Sequence, residues 1–99
     1  MLNIYKRAFE ETGYRASYFH QMVTEQGGYD AAMTLIHSSK PSEGYTALHQ
    51  LGRLDLTVEA LILRPEWLDV FTDQDRLAAY RRLQAYQYPL PPDSWHPSA

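Results

Sequence analysis

A chain of 99 residues with a formal net charge of −3 and no cysteine holds material for one hydrophobic core, with no disulfide, no thiolate nucleophile and no zinc site built on sulfur. The 44% hydrophobic and 21% charged shares exclude wholesale disorder, and the mild acidity disfavours broad attraction to phosphate backbones while falling short of a DNA mimic. No segment approaches the roughly 20 apolar residues of a membrane span, and Met1 to Arg7 carries no long apolar run, so a cytoplasmic protein is expected.

Leu2, Tyr5, Ala8 and Phe9 recur at helical spacing, and Gly13 suits a left-handed cap, which predicts a helix over 2–12. Tyr18, Phe19, Met22 and Val23 form the stripe of a second helix over 16–26, ended by Gly27 and Gly28. A short third helix runs from Asp30 to Ile36 with Ala32, Leu35 and Ile36 inward, and residues 38–44, rich in turn formers around Pro41, read as a loop. Residues 45–51 are helical by pattern and close on Gly52.

Asp55 is the expected N-cap of a helix over 56–63, with Leu54, Val58, Leu61 and Ile62 as its buried stripe. Pro65 ends that helix and starts a turn through Asp69, with Trp67 and Phe71 plugging the core. Thr72 then caps a final helix to about Ala85, carrying Leu77, Tyr80 and Leu83. The architecture expected is all-α: a compact bundle of five to six short helices over 1–87, followed by an extended proline-rich tail over 88–99 that either hangs loose or drapes on the domain.

The strings Gly27-Gly28-Tyr29-Asp30-Ala31-Ala32, Pro41-Ser42-Glu43-Gly44-Tyr45-Thr46-Ala47-Leu48 and the block from Gly52 to Trp67, closed by Phe71-Thr72, resemble a small bacterial helical family of unassigned function. The resemblance spans about Tyr14 to Leu83 and implies a setting in bacterial genomes or their mobile elements. It brings no activity and no functional residue.

No pair among His20, His37, His49 and His96 has the close helical spacing of a metal site, so neither metal nor cofactor is expected. Arg53, beside Asp55 and Glu59, is the most suggestive polar cluster, read either as a clamp between helices or as a partner-facing hot spot. Eight tyrosines in so short a chain suit an interface, and Tyr14, Tyr18, Tyr29 and Tyr45 fall at element ends where some should be exposed. Trp95 in the tail has three docking options: its own domain, a second copy, or another protein.

The expected function is a non-enzymatic helical module that binds another protein through Arg53, Glu59, Tyr14, Tyr18, Tyr45 and Trp95. Its most concrete form is a phage or mobile-element inhibitor or regulator of a bacterial defence system. The alternative is a nucleic-acid-binding regulator using residues 47–63 as a helix-turn-helix, or Arg76, Arg81 and Arg82 as a basic strip. No membrane contact is expected, and self-association is compatible with each reading.

Overall fold

The computed structural model describes residues 2–13 and 17–97, without the side chains of residues 2–5, 8, 17 and 18. Its helices are α1 (Leu2–Thr12), α2 (Ser17–Gln26), α3 (Gly28–Ile36), α4 (Glu43–Gln50), α5 (Val58–Ile62) and α6 (Asp73–Ala85), with 3-10 turns at Leu54–Leu56 and Pro65–Trp67 and no strand among the described residues. None of these helices is long and apolar enough to cross a membrane. The all-α bundle expected from the periodicity is the architecture found.

Three glycines punctuate it where the chain needs positive φ, which side chains with a Cβ resist. At Gly52 (φ 70°) the end of α4 is a complete Schellman motif, the Gly52 N–H donating to His49 O at 3.0 Å and the Arg53 N–H to Leu48 O at 2.8 Å. Gly27 (φ 88°) donates to Val23 O at 2.9 Å and accepts from the Ala31 N–H at 3.1 Å. One residue thus ends α2 and opens α3, which is why α3 starts at Gly28 rather than Asp30.

Ser42 extends α4 backwards in the same way: its hydroxyl accepts the Tyr45 N–H at 3.1 Å, so the helix begins at Glu43 inside the expected loop.

The largest departure concerns Asp55, which does not cap α5. Thr57 does, its Oγ1 accepting the Ala60 N–H at 3.1 Å and donating to Leu54 O at 2.7 Å, and α5 shrinks to five residues. The reason lies in Leu54 and Leu56, both buried. Residues two apart on an α-helix point to opposite sides, so burying both requires the tighter 3-10 turn and an extended Thr57 before helix resumes.

Ala31 and Ala32, both fully buried, let the neighbouring elements approach α3, and Tyr45, Ile62, Leu63, Phe71 and Leu83 fill the centre. Of the two expected plugs only Phe71 is buried, while Trp67 packs half-exposed at the edge. Thr72 and Asp75 close a full capping box at the start of α6. The inward stripe of α6 is Asp75, Arg76, Ala79 and Leu83, with Leu77 and Tyr80 only half-buried.

The tail drapes over the domain. Trp95 donates its backbone N–H to Leu63 O at 2.8 Å, and its ring meets Tyr80 edge-on at 6.2 Å and the Arg76 guanidinium at 5.5 Å.

Candidate interaction surface

Arg53, carried between the α4 cap and the 3-10 turn, forms a fork on Asp55, with Nε to Oδ1 at 2.9 Å and Nη2 to Oδ2 at 3.0 Å. The same Nη2 donates to Glu11 Oε1 at 2.6 Å, and Glu11 also accepts from Arg7 Nε at 3.0 Å. Hydrogen bonds to Asp55 and Glu11 raise the Arg53 pKa, and bonds to Arg53 lower both carboxylates. Arg53 is therefore a clamp that pins α1 onto the α4–α5 junction, with Nε and Nη2 committed inside the chain.

Glu59 belongs to a different cluster from the one its sequence neighbours suggested. It is 2% exposed, so the expected partner-facing role fails, and it accepts from Arg82 Nη1 at 2.8 Å. Burial raises its pKa against the pull of Arg82. Arg82 in turn donates to Leu35 O at 3.0 Å and Ser38 O at 2.5 Å.

Tyr45, likewise offered as an interface residue, is 2% exposed; its hydroxyl donates to Arg82 O at 3.2 Å and its ring meets Tyr86 edge-on at 5.0 Å. Helix α4 brings an aromatic residue to the inward face, where its ring packs against the core and only the hydroxyl needs a partner. Burial, then the nearby Glu59, raises the pKa of that hydroxyl. Trp95 is half-buried in its own domain, while Tyr14 and the side chain of Tyr18 lie outside the described residues.

The arginine strip also turns inward. Arg76 reaches Leu68 O at 2.9 Å, Phe71 O and Asp73, and Arg82 is spent as above, leaving Arg81 exposed. In the 47–63 pair, α5 buries Val58, Glu59, Ala60 and Ile62, so the element that would enter a DNA groove is part of the core.

His37 approaches Asp75 at 2.6 Å from the end of α3. Burial alone would raise the Asp75 carboxyl, but the Thr72 amide and hydroxyl and His37 together hold it below its ordinary value. Among the described residues no three histidine or carboxylate groups gather as a metal site. A cleft of about 320 Å³ under the tail is lined by Arg7, Asp55, Ala60, Arg64, Tyr88 and Leu90 among others.

Among the described residues five large apolar side chains stay exposed: Phe9 and Leu51, and the group Tyr29, Leu68 and Val70. Tyr29 at the start of α3 stacks on Phe71 at 5.4 Å and 20°, yet stays 48% exposed, and Leu68 and Val70, just before Phe71 in the chain, are 41% and 44% exposed. Trp67 meets the same Phe71 ring at 6.4 Å. Sequence reasoning missed Leu68 and Val70. The available signal was the run Trp67-Leu68-Asp69-Val70-Phe71, whose four apolar residues point in more directions than one short turn can bury. Comparison of the chain with known protein families, with curated proteins and with solved structures finds no match to any of them.

Proposed function

We propose that this protein is a non-enzymatic helical module that works by binding another protein through the face built around Phe71. The observation that carries the reading is that Tyr29, stacked on the buried Phe71 ring, and Leu68 and Val70, just before Phe71 in the chain, remain exposed, with Trp67 against the same ring. Tyrosine and tryptophan are the residue types that dominate binding hot spots, and a buried ring behind them holds the face rigid. The Arg53–Glu11 and Arg82–Glu59 pairs support the same reading, because each joins two elements of the fold. A phage or mobile-element protein acting on a bacterial defence component is the concrete form of this proposal.

Affinity capture from a native bacterial lysate tests it. The wild-type chain is expected to retain a specific protein, and a variant with both Leu68→Asp and Val70→Asp is expected to fold but lose it. Equal capture by the two, or capture of nucleic acid alone, would overturn the reading.

A further inference from the structure

The Phe71 face carries charge as well as apolar surface. The turn that presents it is compact: the Val70 and Phe71 N–H groups donate to Trp67 O at 3.1 and 3.4 Å, and Arg76 Nη1 donates to both Leu68 O, at 2.9 Å, and Phe71 O. Leu68 and Val70 therefore project from one short turn, and Tyr29 of α3 lies on the ring of the residue that ends it.

Four exposed carboxylates are built into the same segments. Asp69 lies between Leu68 and Val70, Glu66 precedes Trp67, Asp73 follows Thr72, and Asp30 follows Tyr29. Asp73 is 84% exposed although it accepts from Arg76, whose other terminal nitrogen holds the Leu68 carbonyl, so its charge stands beside the turn. Glu66 has the exposed Arg64 at 3.5 Å, whereas Asp30 and Asp69 enter no ion pair among the described residues. The carboxylates thus outnumber Arg64 and the buried Arg76. The N-terminal ends of α3 and α6, which favour Asp30 and Asp73, each carry only about half a positive charge and offset them in part.

We propose, resting on the binding role of this face given above, that its partner is a basic polypeptide segment. One or two aliphatic side chains of that segment cover Tyr29, Leu68 and Val70, and flanking lysines or arginines meet Asp30, Glu66, Asp69 and Asp73. Charge complementarity selects this occupant. The acidic rim repels a phosphate backbone or an anionic lipid surface, and a second copy docked by the same face would set these carboxylates against themselves. The apolar anchors supply most of the affinity, and the charges supply register and on-rate.

Fluorescence anisotropy tests this with a labelled amphipathic helix of leucine and lysine, about 18 residues or about five turns long, and the same peptide with glutamate in place of lysine. Wild type is expected to bind the lysine peptide at least about 10-fold more tightly, a gap that salt narrows. Asp30→Lys with Asp69→Lys should weaken the lysine peptide about 10-fold. Glu10→Lys with Glu43→Lys, which shifts net charge equally from α1 and α4, should weaken it less than about 2-fold. Leu68→Ser with Val70→Ser should lose both peptides. Equal effects of the two charge reversals, no preference between the peptides, or no binding of the lysine peptide would overturn the basic partner and leave the face itself standing. Undiminished binding by the double serine variant would instead overturn the face. Circular dichroism of each variant confirms the fold, and Asp69→Lys alone, expected to weaken binding about 3-fold, keeps the test decisive if Asp30→Lys perturbs α3.

Discussion

Replacing Arg82 with methionine should leave the Glu59 carboxylate buried without its counter-charge. Glu59 is 2% and the Arg82 side chain 12% exposed, so water screens the pair little. Removing one member of such a pair costs about 3–5 kcal/mol. Ser38 is exposed and its carbonyl can turn to water, so we expect a loss of about 3–4 kcal/mol, against a total of about 5–15 kcal/mol for a domain of this size.

The loss should depend on pH with a definite sign. Burial already holds the Glu59 pKa above its ordinary value of 4.5, so its contribution to stability is largest below that value and declines as pH rises through the folded value. Without Arg82 the folded value moves higher still, and the Arg82→Met penalty should be larger at pH 7.5 than at pH 5. Adding Glu59→Gln to Arg82→Met should recover about 1–2 kcal/mol, since a buried amide needs hydrogen bonds but no counter-charge. Urea unfolding followed by far-ultraviolet circular dichroism gives all three numbers. A penalty under about 1 kcal/mol, no difference between the two pH values, or a further loss in the double variant would refute the account of this pair.

Gly52→Ala should cost about 1 kcal/mol by the same assay, entirely from the positive φ, because a Cβ there meets no atom within 4 Å. Asp75→Ala should cost about 1–2 kcal/mol by opening the capping box. As the folded pKa of Asp75 lies below 3.8, that contribution is present above 3.8 and fades as pH falls, so the variant should show a flatter acid limb in a stability–pH profile. Arg53→Ala should destabilise less than Arg82→Met, and raising the salt concentration should shrink its effect, because the Arg53, Asp55 and Glu11 side chains are each about a third exposed; thermal melts at low and high salt check this.

Much of the local structure is written in residues that act over one turn. Gly13, Gly27 and Gly52 end their helices, and Pro65 and Thr72 start their turns, because φ restrictions and side-chain caps depend only on near neighbours. Helical periodicity likewise suffices for the all-α class.

Which face of an element meets another is a question of three-dimensional packing. Glu59 sits among residues that locally resemble an exposed helix start, and only the arrival of Arg82 from α6, 23 positions on, makes its burial tolerable. Tyr45 is drawn inward because the Arg82 carbonyl accepts its hydroxyl, and Asp55 yields the cap to Thr57 because Leu54 and Leu56 must both reach the core. By itself, then, the sequence determined the all-α class, the glycine ends of three helices and the absence of cysteine chemistry. The tertiary structure decided which charges were used internally, that the tail docks through Trp95, and that Tyr29, Leu68 and Val70 stay exposed, since burial and long-range pairing depend on residues that are distant in the chain.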